Sequence, residues 1–263
     1  MTPFLSRRER FDVVPSTNDV VRGWLAEGTP DVCLAVADAQ TAGRGRDGRT
    51  WTAPAGAALL LSLGFRPAWL RPDQVWRLAA IVSVAMAEAG EEIAALPPET
   101  ILLKWPNDLV VEAGDGVLKL AGVLGETDGI GSDDPRAVIG IGVNGDWPRS
   151  ALPADLAPSM TSLRELAARP IDHGAVLQTF LERLALRVAD LREGRFDAPG
   201  WAARQVTTDR DVDLVDANGS RTTVRATGVD AGSGALLVDG RPVVVGEIAH
   251  IRLASPVGAE TGV

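Results

Sequence analysis

The spacing of apolar positions changes repeatedly along the chain, and each change marks an element. Phe11-Asp-Val-Val14 reads as a short strand. Ser16-Thr-Asn18 then offers capping side chains, and Val20, Val21, Trp24 and Leu25 recur at helical spacing until Gly28. Val32 to Ala37 and Ala57 to Phe65 are apolar runs of strand length, separated by a Gly/Arg-rich loop at 43–49. Pro72-Asp73 opens a helix carried by Trp76, Leu78, Ile81, Val82 and Met86 to about Glu91. Further strands are predicted at Ile101–Lys104, Leu109–Glu112, Leu118–Gly125 and Ala137–Val143, with Gly- and Asp-rich turns between the last three. Thr161–Ala168 and Ile171–Arg192 read as helices, the second long and amphipathic.

Near residue 205 the pattern becomes one of short strands and tight turns. Asn218-Gly219 and Asp239-Gly240 lie between β-branched runs, as two-residue hairpin turns require. The pattern predicts alternating strands and helices over residues 1–204, a small β-barrel over 205–255 and a flexible tail at 256–263.

The 263 residues, 46% of them hydrophobic, suffice for one large core plus a small second unit. Acidic residues outnumber basic ones 35 to 26, a net charge of −9, which disfavours a protein that grips nucleic acid by neutralising phosphates. Residues 204–263 carry six Arg against eight acids, so the C-terminal unit has no basic footprint either. No uncharged run reaches the roughly 18 residues of a membrane span, and the start holds no apolar stretch of signal-peptide length. The expectation is a cytoplasmic protein without nucleic-acid or membrane partners. One cysteine, Cys33, precludes an internal disulfide or a Cys-cluster metal site; set within a strand pattern, it reads as a buried thiol. Two histidines, His173 and His250, leave little for metal chemistry, and no protein-built metal site is expected. Of the 26 basic residues only Lys104 and Lys119 are lysine. A coding preference for Arg explains that bias, yet it makes the two lysines worth locating.

Four segments carry chemistry. In Gln40-Thr-Ala-Gly-Arg-Gly-Arg-Asp-Gly-Arg-Thr-Trp51 the glycines free backbone N–H groups to converge on an anion, and the Arg forks add bidentate contacts to phosphate or carboxylate. Gly43-x-Gly45-x-x-Gly48 is not a dinucleotide fingerprint, because Trp51-Thr-Ala-Pro54 and a strand follow where a helix is needed. Taken alone, an Arg/Gly run reads equally well as a solvated loop. Lys104-Trp-Pro-Asn-Asp108 ends a strand and places Asp108 at its terminus. Strand alternation in Lys119-Leu-Ala-Gly-Val-Leu-Gly-Glu126 puts Lys119, Ala121 and Val123 on one face and Leu120, Gly122 and Leu124 on the other. A Lys in such a strand must snorkel, pair or hold an anion, and Gly122 leaves room for a close approach. Ile139-Gly-Ile-Gly-Val-Asn144 repeats the theme. The inventory lacks an acid/base pair and a nucleophile, and suits carboxylate activation by adenylate transfer, where catalysis is mostly positioning and charge neutralisation.

Ser16-Thr-Asn18, the Gln40–Trp51 loop, Lys104–Asp108, Lys119–Glu126 and Gly140-Ile-Gly-Val-Asn144 resemble, in order and spacing, the motifs of the biotin–protein ligases; the resemblance covers roughly residues 11–253. It implies an α+β fold: a mixed-sheet, class II synthetase-like catalytic domain followed by a small SH3-like β-barrel. It also implies that biotin and ATP are joined as biotinyl-5′-AMP with release of pyrophosphate, that Mg²⁺ attends the ATP, and that biotin passes to a lysine of a biotin carboxyl carrier domain. Carried over by motif, Ser16, Thr17, Asn18 and Gln40 face the biotin head group. Arg44, Gly45 and Arg46 close over the adenylate, Lys119 holds carboxyl and phosphoryl oxygens, and Gly122 completes the biotin pocket. Arg49, Trp51, Asn107 and Asn144 join the adenylate site, with the Trp51 indole covering the adenine. Lys119, Arg46 and Asp108 are the expected catalytic residues.

Two departures temper the resemblance. About ten residues precede Phe11, too few for the N-terminal DNA-binding domain of some members, so the expectation is a ligase without repressor function. The segment Thr207–Asp211 lacks the glycine turn expected before the barrel. Related lipoate or octanoate ligases share the fold but lack the Gly-Arg-Gly-Arg-x-Gly-Arg loop. A non-catalytic sensor of biotinyl-adenylate has no need of Lys119, Arg46 and Asp108. A monomer or weak homodimer is expected; strands near 137–143 could pair across a two-fold axis.

Overall fold

The computed structural model describes residues 4–216, 219–244 and 247–252. Strands β1 (Arg7–Val14), β2 (Cys33–Gln40), β3 (Ala58–Phe65), β4 (Leu102–Lys104), β5 (Asp108–Ala113), β6 (Gly116–Asp128) and β7 (Arg136–Asn144) form one sheet in the order β1-β2-β3-β7-β6-β5-β4. Only β1 and β2 run parallel; the other neighbours are antiparallel, so the sheet is mixed as expected. The helices are α1 (Thr17–Ala26), α2 (Trp76–Ala94), α3 (Leu163–Ala167), α4 (His173–Arg192) and α5 (Ala198–Ala203). Among the described residues no helix is long and apolar enough to cross a membrane.

Side-chain alternation divides the two faces. Leu59, Leu61, Leu63 and Phe65 of β3 enter the main core beneath α2 and α4, with Met86 and Phe180 packed in the same cluster. On the opposite face α1 lays Val21, Trp24 and Leu25 against Cys33, Ala35 and Val138. There Cys33 is the buried thiol expected, its pKa pushed up to about 11 mainly by burial. Helix α1 reaches β2, β3 and β7, and leaves the neighbouring surface of β6 and β5 to loops.

Strands β8 (Arg210–Val215), β9 (Arg221–Val229), β10 (Leu236–Val238), β11 (Arg241–Val243) and β12 (Glu247–Arg252) make a second, antiparallel sheet in the order β11-β10-β9-β8-β12. Asp239-Gly240, both with positive φ, make the predicted two-residue hairpin turn; Asn218 of the other predicted turn lies outside the described residues. The end strands β11 and β12 do not pair with each other, so the described pairings give a sheet, not the closed barrel expected.

The two sheets share an apolar seam of Trp105, Val110, Val206, Val212, Ala226 and Leu236. Beside it lies a buried ion pair. Arg204 donates to both oxygens of Glu91 (2.8 and 3.0 Å) and to the carbonyl of Ile101, while Ile101 N–H donates to Glu91. The backbone of Arg204 and Val206 in turn bonds Leu103 in the middle of β4.

Several local expectations needed correction. Helix α1 starts at Thr17 with Ser16 as N-cap, but no side chain caps it; Thr17 and Asn18 are bonded instead to Gln40, Ser62 and Glu126. Strand β1 starts at Arg7, earlier than Phe11, because pairing with β2 extends an edge too polar to show alternation. Pro72 opens a short 3₁₀ turn ahead of α2. Helix α5 was not foreseen; its signals are the Asp197 side chain capping Gly200 N–H and a proline in the first turn.

Candidate active site

Across the open part of the sheet one cross-strand row reads Ala37, Leu60, Gly142, Gly122, Asp108, Lys104, taken from β2, β3, β7, β6, β5 and β4. The adjacent row contains Ser62, Gly140 and Leu124. Glycines in β6 and β7 thus cut a trough whose floor is backbone, and side chains from other elements fill it. A Cβ on Gly140 would lie 2.1 Å from Asn18 Oδ1, and one on Gly142 would lie 2.6 Å from the Trp51 indole.

At the α1 end of the trough sits a buried polar cluster. Ser16, Thr17, Asn18 and Ser62 are each at most 5% exposed. Thr17 N–H donates to Gln40 Oε1 (2.7 Å), with Thr17 Oγ1 3.0 Å from the same oxygen. Ser62 Oγ lies 2.7 Å from Thr17 Oγ1 and 2.5 Å from Asn18 Oδ1. Asn18 Nδ2 donates to Glu126 (2.8 Å), which also pairs with Arg22 and Arg44. Arg44 grips Asp19 through two 2.8 Å bonds. That fork is the main reason the Asp19 carboxyl titrates below its ordinary range and the Arg44 guanidinium above its own.

The Gly/Arg loop folds back over the trough. Gly43 and Trp51 are joined by a backbone hydrogen bond, Arg44 bridges to Thr50, and Arg46–Gly48 forms one 3₁₀ turn, with no helix after the glycines. Arg44, Arg46, Arg49 and Trp51 line the cleft together with Ser16, Gln40, Asn107, Asp108, Lys119 and Gly122. Arg46 is half-buried and makes no side-chain hydrogen bond or ion pair among the described residues.

Lys119 Nζ lies 2.6 Å from Asp108 Oδ1 and 5.7 Å from the Trp51 ring. Its position corrects the alternation read from the sequence. A β-bulge shifts the β5–β6 register: Leu109 pairs with Ala121 but Val110 pairs with Lys119. The extra residue, Leu120, turns into the main core beside Ala121 and Val123. Lys119 is thereby rotated onto the face of Gly122, where its Nζ lies 3.4 Å from the position of a Gly122 Cβ.

Residues 10–144, just over half the chain, match the model of the biotin/lipoate A/B protein ligase family. The chain belongs to this family. It is 32% identical over 252 residues to the biotin--[acetyl-CoA-carboxylase] ligase of Mycobacterium tuberculosis, covering 92% of this chain and 90% of that one. It is 37% identical over 133 residues to the bifunctional ligase/repressor BirA of Escherichia coli, covering 50% of this chain and 38% of that protein. The biotin protein ligase of Aquifex aeolicus, solved with biotin and ATP, superposes with a TM-score of 0.76 at 25% identity, over 95% of this chain and all of that one.

For a member of this family, most residues expected from the motifs meet in one cleft. Asn144 does not line it. Fully buried, Asn144 donates to the carbonyls of Thr161 (2.9 Å) and Lys119 (3.4 Å), holding the Lys119 backbone from behind. Asp108 begins β5 instead of closing the preceding strand. Trp51 lies over Gly122 and Gly142, beside Lys119. Ser62, Asp19, Arg22 and Glu126 belong to the cluster but were not singled out. Ser62 is a polar residue inside the apolar run Ala58–Phe65, and that was the signal available in the sequence.

Two predictions follow from this geometry. Gly142→Leu should expel the Trp51 indole from the trough, raising the KM for ATP at least tenfold while the thermal midpoint changes little; an unchanged KM would mean that Trp51 does not cover the nucleotide. The second concerns His173, whose Nε2 accepts the Asp146 N–H (2.9 Å) immediately beyond Asn144. Burial is the main cause of its lowered pKa, opposed by Asp146 and Asp172. The unfolded chain therefore takes up the proton first as pH falls, so stability is complete above the ordinary value of 6.5 and declines below it. Thermal midpoints measured from about pH 7 to about pH 5 should fall more steeply for the native chain than for His173→Gln. Equal slopes would show that His173 contributes nothing.

Proposed function

We propose that this chain is a biotin–protein ligase: it joins biotin to ATP as biotinyl-5′-AMP, releases pyrophosphate, and transfers biotin to the acceptor lysine of a biotin carboxyl carrier domain. The observation that carries this reading is a single cleft in which a buried amide–hydroxyl cluster, suited to a cyclic urea, adjoins the Lys119 ammonium and an Arg-rich loop. The names of the Mycobacterium and Aquifex relatives support it.

In this reading Ser16, Thr17, Asn18 and Gln40 hold the urea, Gly122 completes the biotin pocket, and the Trp51 indole covers the adenine. The carboxylate meets Lys119, attacks the α-phosphorus of ATP in line, and pyrophosphate leaves. Lys119, Arg44, Gly45 and Arg46 take up the developing charge, while Arg49 and Asn107 hold the nucleotide. Asn144 keeps Lys119 in place. In the second half-reaction the carrier's lysine amine attacks the acyl carbon and AMP departs. Asp108 fixes the Lys119 ammonium and accepts the amine's proton. In this reading Mg²⁺ enters with the triphosphate of ATP; the described residues contain no group of three or more His, Cys, Asp or Glu side chains that could hold a metal ion. Residues 1–204 form the catalytic unit in this reading and 205–255 a small SH3-like unit. The enzyme acts in the cytoplasm as a monomer or weak homodimer, without nucleic acid.

Pyrophosphate–ATP exchange tests the assignment with biotin, lipoate and octanoate side by side. Exchange that requires biotin is the expected result. Exchange with lipoate or octanoate would make the chain a sister ligase, and biotin binding without exchange would make it a sensor.

A further inference from the structure

We propose that Glu126 is a positioning residue that sets the direction of the hydrogen bonds in the biotin head-group pocket, through Asn18 and Ser62. The proposal deepens the ligase reading and rests on it.

Three oxygen–oxygen contacts meet in this pocket: Thr17 with Gln40 (3.0 Å), Thr17 with Ser62 (2.7 Å) and Ser62 with Asn18 (2.5 Å). Gln40 Oε1 and Asn18 Oδ1 are pure acceptors, so only two protons, one on each hydroxyl, serve three contacts. Their arrangement is decided from outside. Glu126 is flanked by Arg22 and Arg44, and its carboxylate accepts only. Asn18 must therefore turn its NH₂ group to Glu126, which leaves Oδ1 facing Ser62. Ser62 then gives its one proton to Asn18, so the 2.7 Å contact with Thr17, shorter than the 3.0 Å from Thr17 to Gln40, is left to take the Thr17 proton. Gln40 Oε1 keeps the Thr17 N–H as its donor at 2.7 Å. The outcome is a one-way relay, Thr17 to Ser62 to Asn18, that spends the Thr17 proton internally. Thr17 is left to the ligand as an acceptor, which matches a urea N–H and offers nothing to a dithiolane ring or an alkyl chain.

Glu126→Gln keeps the shape of the side chain and removes its fixed polarity, because a glutamine can face Asn18 with either end and so lets the Asn18 amide reverse. Ser62→Ala cuts the relay at its centre. The experiment is biotin-dependent pyrophosphate–ATP exchange by the native chain, each single variant and the double variant. Each single variant should raise the KM for biotin about tenfold, the cost of one misdirected hydrogen bond, with kcat within about threefold. The double variant should be no worse than about tenfold, since both changes break the same relay. An unchanged KM in Glu126→Gln, or a double variant at about a hundredfold, the product of independent effects, overturns the relay and leaves the ligase reading standing. A loss of kcat without a change in KM would place Glu126 on the Arg44 loop instead, and also overturns it. Native protein without biotin-dependent exchange removes the ligase reading, and the relay falls with it.

Discussion

Lys119→Ala is expected to slow pyrophosphate–ATP exchange by roughly 100- to 1000-fold, the loss that follows removal of one preorganised group stabilising charge in a transition state. The reason is local. Lys119 is the lysine that the β6 bulge turns onto the Gly122 face, within 2.6 Å of Asp108 and beside Trp51. Half-exposed and carried on a strand, it can be removed with little damage to the core, so the melting temperature of the variant should stay close to that of the native chain. Arg is an instructive second replacement. Its planar fork cannot take the place of a compact ammonium between Asp108 and Trp51, and it should restore little activity. Near-native exchange in Lys119→Ala would remove Lys119 from the chemistry and leave Arg46 as the principal cation.

The second large effect is on stability. Glu91→Ala should destabilise the fold by about 3–5 kcal/mol, because it strands the Arg204 guanidinium in a buried site and leaves Ile101 N–H without its acceptor. Both partners are nearly inaccessible, with side chains 7% and 5% exposed, so water cannot take over the lost bonds. Burial lowers the pKa of Arg204, but its bonds to Glu91 more than offset that, and the guanidinium stays charged. Chemical denaturation of the native chain, Glu91→Ala and the double variant Glu91→Met/Arg204→Leu separates the two possible origins. The single variant should lose most of the stability, and the apolar pair should recover much of it. A single variant within about 1 kcal/mol of native would mean that the pair is solvated and contributes as surface pairs do.

Much of this molecule could be read from its sequence, and the rest failed for identifiable reasons. Apolar runs located β2, β3, β5, β6 and β7, and helical spacing located α1, α2 and α4, because each buries a continuous face. The polar edge strand β1 takes its form from pairing, and α5 is a single short turn whose capping residues were the only cue. Asp108, Lys119, Gly122 and the Arg loop were recognisable as chemistry-bearing residues, since a charge or a glycine inside an apolar strand needs an explanation. Two features were hidden. Strand periodicity has no term for an inserted residue, so it placed Lys119 on the wrong face. Glu126 and Ser62 are 64 positions apart in sequence and become neighbours of Asn18 only when β3, β7 and β6 lie side by side and α1 crosses them.

The bulge in β6 also bears on how this site can be handled by protein engineers. A strand grafted by sequence alone into an idealised, regularly pleated sheet would keep every residue from Lys119 to Glu126, yet present Leu120 to the ligand and drive the lysine inward. The smallest portable unit is therefore the paired ribbon of β5 and β6, whose irregular register carries the information that the letters of β6 lack.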